Sequence, residues 1–348
     1  MTGHSGSPLV LRWRRYSLLL HRRSIAVALV LALLVLVLAL WALMHGKLAL
    51  PPLAVLKVLL GDNAPPLHQQ IIVSVRLPRM LTALLVGAAL GIAGAVFQSI
   101  SRNPLGSPDI VGFTTGAASG ALLPMMLLTG GNDLAVAAGA LLGGLATALV
   151  VYGLARVEGE VSSYRLILMG IGVGATLMAF NGLLLIKGDL DDAMMANLWL
   201  AGSLHARTWA HVWPLLAGMV LLLPLLLAGA RSLTLLEMGD DVAAQLGVRV
   251  ERVRLWMMLA AVMLAALATA AAGPVAFIAL AAPQLARRLT RGVGVPVASA
   301  ALMGSLLLLA ADLLTQSLPF RAHVPIGRVT GIVGGLYLLA LLTRMRRI

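Results

Sequence analysis

The chain has 348 residues, 60% of them hydrophobic and only 11% charged, with 26 basic against 13 acidic residues and a net charge of +13. Soluble domains hold roughly 45–50% apolar residues, so this composition is that of an integral membrane protein. The absence of cysteine excludes disulfides, thiolate metal sites and iron–sulfur clusters.

Residues 1–23 are a basic tail, and residues 24–348 read as one polytopic membrane domain, because no polar stretch is long enough for a separate soluble one. A spanning helix needs roughly 20 mostly apolar residues. On that basis an all-α fold with about ten transmembrane helices is expected, near 24–44, 79–100, 109–129, 134–155, 164–186, 209–230, 254–272, 275–290, 297–317 and 326–343. The first run is longer than the signal-peptide core of about 7–15 residues and has no small-x-small cleavage site, so it reads as a retained span. Shorter helices are expected near 190–203 and 236–247. With both termini cytoplasmic, the inner segments hold 18 of the 26 basic residues, which is the bias the positive-inside rule describes. The arginines flank apolar runs instead of forming one basic face, which argues against nucleic acid as a partner.

At the outer mouth of the second span stands Arg76-Leu-Pro-Arg79. Proline is tolerated in a first helical turn, where its missing N–H has no partner to lose. Outer cations run against the topogenic bias, so these two either meet a negatively charged partner or snorkel to membrane lipid phosphate. The same span carries Gly87 and Gly91, and the fifth carries Gly170 and Gly174, small-residue spacings suited to close helix approach or to lining a pore. At the inner end lies Ser101–Asp109, where two prolines and a glycine impose a non-helical turn and Asn103 is suited to bond the local backbone. The loop Val161–Arg165 (VSSYR) offers small hydroxyls at the same level.

Between the sixth and seventh spans lies a polar island, Arg231–Arg254, in which eight of 24 residues are charged. Its acids (Glu237, Asp240, Asp241, Glu251) balance its arginines (Arg231, Arg249, Arg252, Arg254). The middle reads as a short helix, with Asp240 and Asp241 at the positive end of its dipole and Gly247 suited to a left-handed cap. A compact, charge-balanced helix between two spans suits a soluble partner. No GxxxxGK[ST] phosphate cradle and no HExxH occur, and the seven histidines are scattered, so neither ATP hydrolysis on this chain nor a metal site is expected. Asp312 is the one acid well inside a span, either a structural carboxylate bonded to neighbouring helices or part of a transport path.

Together these segments resemble the permease family of ABC importers for iron–siderophores, haem and vitamin B12. The resemblance is carried by RLPRMLTALLVGAALGIAGAVFQSISRNPLGSPDIVGF at 76–113, LLEMGDDVAAQLGV at 235–248, GPVAFIALAAPQLARRL at 273–289 and LLLLAADLLTQ at 306–316, in the family's order and spacing. Within the family, GSPDIVGF and LLEMGDDVAAQLGV are most similar to the ferric-enterobactin type. The resemblance implies a type II ABC importer permease fold in the cytoplasmic (inner) membrane. It implies a second homologous permease subunit as a heterodimer partner, two ATPase subunits that carry ATP and Mg, and an extracytoplasmic siderophore-binding protein, with no cofactor on the permease itself. It also implies docking of the binding protein at Arg76 and Arg79, with Arg321 a looser match. The cytoplasmic gate falls on Asn103, Leu105, Ser163 and Tyr164, the tyrosine being larger than the small residue frequent there. ATPase coupling falls on Glu237, Gly239, Asp240, Asp241, Ala244, Leu246 and Gly247. The chain departs from the family at Pro283-Gln284, where many relatives have Pro-His, and at His323-Val324-Pro325, where they have Glu-Leu-Pro.

The implied activity is ATP-driven import of a ferric siderophore by alternating access, with no chemistry on the cargo. Haem or vitamin B12 import is the alternative within the family. An ion-coupled secondary carrier would show paired intramembrane charges and unwound mid-membrane segments, and the sequence has almost none. A scaffold that recruits a cytoplasmic protein through the island is a further alternative; a membrane enzyme would need a catalytic pair, and none emerges.

Overall fold

The computed structural model describes residues 9–13, 16–46, 48–62, 64–127, 133–157, 160–292, 294–317 and 324–345. Apolar stretches that enter a bilayer must satisfy their backbone polar groups internally, and helices do so within one segment. An antiparallel hairpin comes first, β1 (Leu9–Trp13) with β2 (Tyr16–Leu20). It is followed by α1 (Arg22–Met44), α2 (Pro52–Leu60) and α3 (Pro66–Gln70). A π-helical turn, Ile71–Arg76, leads into α4 (Leu77–Ser101). Then come α5 (Phe113–Leu127), α6 (Asp133–Ala155), the short hairpin β3 (Arg156–Val157) and β4 (Glu160–Val161), α7 (Ser163–Lys187) and α8 (Leu190–Leu200). The chain continues through α9 (Trp209–Glu237), α10 (Asp240–Gln245), α11 (Val250–Ala272), α12 (Ile278–Thr290), α13 (Val297–Ser317) and α14 (Ile326–Met345). The two small hairpins are additions to an all-α expectation; in the first, Val10, Trp13 and Tyr16 are good strand formers.

Among the described residues seven helices are long and apolar enough to cross a membrane: α1, the continuous helix Pro66–Ser101, α6, α7, α9, α11 and α13. Each of the other three expected spans contains a shorter apolar or amphipathic helix. α5 starts at Phe113 because Pro104, Gly106 and Pro108 hold the preceding stretch in turns. α12 has 13 residues, about 20 Å at helical rise, because Gly273 and Pro274 keep the chain non-helical up to Phe277. α14 is apolar over Ile326–Leu339. Pro78 does not begin the second span: 36 residues from Pro66 run as one helix, and the π turn falls just before Pro78, which has no N–H to return to Ser74.

α4 is the axis of the molecule. Twenty of its 25 residues are buried, and α13, α11, α12 and α9 surround it. By contrast α1, α7 and α9 leave apolar side chains such as Leu29, Met178 and Leu221 exposed, as helices bordering lipid or another subunit do. The α4–α13 contact is made by backbone. A Cβ added to Gly87 would fall inside the Gly304 carbonyl, and one added to Gly304 would fall on the Gly87 carbonyl. Gly91 abuts Ala300 in the same way, and Gly94 abuts Ala279 of α12. Gly170 and Gly174 of α7 likewise sit against Val111 and Gly112 of the turn before α5.

Gly87→Val should force α4 away from α13. Overpacking of this kind costs about 1–3 kcal/mol, so the detergent-solubilised variant should melt several degrees below the parent; an unchanged Tm would show that the contact does not hold the two helices together.

Candidate functional site

α9 ends at Glu237, and Gly239 turns the chain into α10 with φ +118°, a conformation only glycine adopts without strain. Asp240 and Asp241 occupy the first turn of α10, where backbone N–H groups lack helical partners and favour negative charge. Gly247, at φ +84°, ends the short helix as its sequence indicates. Within α10 Ala243 is buried, whereas Asp241, Val242 and Ala244, and the following Leu246 and Gly247, are exposed. The island helix therefore has an inward face built from Ala243 and Asp240 and an outward face of small, apolar and acidic groups.

Of the four island arginines, Arg254 alone is buried, its side chain 2% exposed. Its Nη2 donates to both carboxylate oxygens of Asp240, at 2.9 and 2.8 Å. Its Nη1 donates to the Val161 carbonyl at 2.8 Å and to Glu251. The second oxygen of Glu251 accepts from the Tyr152 hydroxyl of α6 at 2.7 Å. A guanidinium can be this deeply placed only when charged and polar acceptors surround it. Asp240 also lies 3.6 Å from Arg102, the last-turn cap of α4. Glu237 pairs with Arg287 of α12 and accepts from the Ser99 hydroxyl of α4 at 2.6 Å.

Beyond Arg102 the chain turns at Asn103, whose side-chain oxygen accepts from the Leu105 N–H at 2.9 Å, closing an Asx turn. Gln284 donates to the Pro104 carbonyl at 2.6 Å and Gln98 to the Leu280 carbonyl at 3.0 Å, so α12 is stitched to the turn and to α4. At Gln284, therefore, a side-chain amide makes the backbone contact. The Ser163 hydroxyl donates to the Ile100 carbonyl at 3.0 Å. That bond brings together the two loops that the sequence nominates separately. They line an open cleft of about 410 Å³ with Ser101, Pro104 and Ile167, and Tyr164 is largely exposed there. Arg102 and Asn103 also border a neighbouring cleft of about 440 Å³ with Glu237, Gln284 and Arg287.

The 25 residues of α4 put its two ends about 37 Å apart. At the first-turn end, Arg79 forks onto Asp312 of α13, Nε at 3.1 Å and Nη2 at 2.7 Å. The Asp312 side chain is 2% exposed and that of Arg79 26%; Gln316 donates to the same carboxylate at 2.9 Å. Asp312 is thus a hydrogen-bonded carboxylate between two helices. Arg76 donates to the carbonyls of Leu43, at 2.7 Å, and Leu48, tying the end of α1 to the π turn. Arg321 and His323 lie outside the described residues. Among the described residues no three His, Asp or Glu side chains gather as a metal site.

Arg254, Arg102, Arg287 and Gln284 complete these clusters without having been singled out in the sequence as site residues. Arg254 had a legible signal: it falls at helical spacing from Met257, Met258 and Ala261, all buried, which points it inward. Glu251, three positions earlier on the same helix, is a partner that helical spacing indicates; nothing local named Asp240.

Residues 33–344 match the FecCD transport family. The chain belongs to that family. This FecCD protein is 49% identical over 327 residues to the ferric enterobactin transport system permease protein FepG of Escherichia coli (strain K12), covering 94% of this chain and 98% of that one. It is 38% identical over 325 residues to the iron(3+)-hydroxamate import system permease protein FhuG of Bacillus subtilis (strain 168), covering 90% and 95%. It is also similar to a solved metal-chelate type ABC transporter in an inward-facing conformation, with a TM-score of 0.81, 28% identity and coverage of 92% and 99%. FecCD membership and seven long apolar helices make it a multi-pass protein of the cytoplasmic membrane.

Asp312→Asn should leave Arg79 poorly paired, at a loss of about 2 kcal/mol for hydrogen bonds to a charged group. The double variant Arg79→Met, Asp312→Leu should recover most of that stability. Thermal unfolding of the parent, the single variants Arg79→Met and Asp312→Leu, and the double variant checks this, and strictly additive losses would show that the pair does not interact.

Proposed function

We propose that the chain is the transmembrane permease subunit of an ATP-driven ABC importer that moves a ferric siderophore, of the catecholate enterobactin type, across the cytoplasmic membrane by alternating access. The 49% identity to FepG over 98% of that protein carries this reading. In it, ten helical segments cross the bilayer with both termini cytoplasmic, so the island end of α4 faces inward. A second, homologous permease subunit completes the path, two ATPase subunits carrying ATP and Mg bind inside, and a siderophore-binding protein docks outside.

The outward face of α10, with Asp241, Ala244, Leu246 and Gly247, receives the ATPase, while Glu237, Gly239 and Asp240 set the pose of that helix. Asn103, Leu105, Ser163 and Tyr164 form the cytoplasmic gate. The approach of Asp240 to Arg102, 3.6 Å away and next to Asn103, supports a short mechanical route from ATPase to gate. On the outer side, the fork of Arg79 on Asp312 uses Nε and Nη2, which directs Nη1 away from Asp312 toward an acidic lobe of the binding protein. Arg76 and Arg321 join it there. The chelator holds the iron, so the path needs small and apolar walls rather than metal ligands.

In liposomes containing the full complex, ferric catecholate should accumulate only with ATP, and uptake should survive a protonophore. Collapse of uptake with the protonophore would point to an ion-coupled carrier. Charge reversal at Arg76 and Arg79 should raise the Kd for the binding protein about tenfold, with the largest difference from the parent at low salt, where exposed charges are least screened. A Kd equal to the parent's at low salt would remove the docking assignment.

A further inference from the structure

Two elements besides its own helix, α10 and β4, meet one buried side chain at the island end, and the import reading above gives that side chain no role. We infer that Arg254 is a positioning residue that locks α10 to the segment entering α7, so that the ATPase-receiving helix and one side of the gate move as a single body. The inference rests on the import reading and adds to it the residue through which motion passes.

The geometry carries the assignment. One guanidinium, rooted in α11, holds the Asp240 carboxylate of α10 through Nη2 and the Val161 carbonyl through Nη1. Val161 is buried and lies just before Ser163 and Tyr164. A planar guanidinium fixes the angle between its partners, which a lysine ammonium on a flexible stem does not. With its side chain 2% exposed, Arg254 has little water to exchange for either bond. The other cation near Asp240 cannot replace it: Arg102 is 3.6 Å away with both side chains over a third exposed, a pair of the kind that adds about 0–1 kcal/mol. Glu251 also accepts from Nη1 and is itself held by Tyr152, so α6 and α11 form the seat on which the lock rests, while the buried Nε has no hydrogen-bond acceptor.

The acids are far more exposed than the arginine, Asp240 38% and Glu251 34%. If Arg254 becomes an apolar side chain of similar length, water can solvate both carboxylates, so the fold should survive while the connection is lost. That separates positioning from a purely structural role.

The chain has no cysteine, so spin labels can be placed on cysteines introduced at Gln245 in α10 and Arg165 in α7, both exposed. In the complete complex in lipid nanodiscs, the distance between the labels should be the same in the nucleotide-free and vanadate-trapped states of the parent. In Arg254→Met it should differ between the two states. The same variant should assemble and hydrolyse ATP within about twofold of the parent yet move at least about tenfold less cargo per ATP, and Arg254→Lys, with one ammonium for the fork, should fall between. Cargo per ATP at the parental level, whether both rates fall together or neither does, would overturn the inference; so would a label distance that behaves as in the parent. If the parent complex itself took up no ferric chelate, the import reading would fail, and the label distances would still decide the role of Arg254.

Discussion

Helices in a bilayer gain little by hiding apolar surface from one another, because lipid tails are as apolar as leucine; they associate through close contact. Along α4 that contact is made where Gly87, Gly91 and Gly94 meet the backbone of Gly304, Ala300 and Ala279. Three successive turns without side chains let α4 approach α12 and α13 until backbones touch. Both ends of the molecule follow from that approach. It brings Arg79 to Asp312 at one end, and Gln98 to Leu280 at the other. A rotation of α4 by one residue would swing each of these side chains by about 100° and break both connections.

The few charges that enter the protein interior all work between elements. Arg79 joins α4 to α13, Arg287 joins α12 to the end of α9, and Arg254 joins α11 to α10 and β4. A buried ion pair contributes little net stability compared with well-packed apolar groups of the same size. What it contributes is a fixed distance and angle between segments that small-residue helix contacts alone would leave free to slide. In a protein whose proposed work is to change the relation between its two ends, such connections decide which parts travel together.

The island shows how far local chemistry reaches. Its short helix, the acids in the first turn and the left-handed glycine at position 247 were legible because capping and positive φ depend on neighbours in sequence. The turn after α4 was legible for the same reason, from its prolines and Asn103. The meeting of that turn with Ser163 was not, because the bond from Ser163 to Ile100 spans 63 positions and no local pattern encodes it. The expected helix 275–290 starts three residues early, because apolar composition continues through Val275–Phe277 although helix does not.

By itself the sequence determined that this is a helical membrane protein, where most of its helices lie, and that it carries the motifs of the FecCD family, because hydropathy, turn chemistry and motif order are properties of the chain taken a few residues at a time. Only the tertiary structure decided that Arg79 and Asp312, 233 positions apart, are partners and that the inward-facing Arg254 meets Asp240 and the Val161 carbonyl. Those outcomes depend on which helix faces meet, and the facing glycines of α4 and α13 settle that only once both helices are in place.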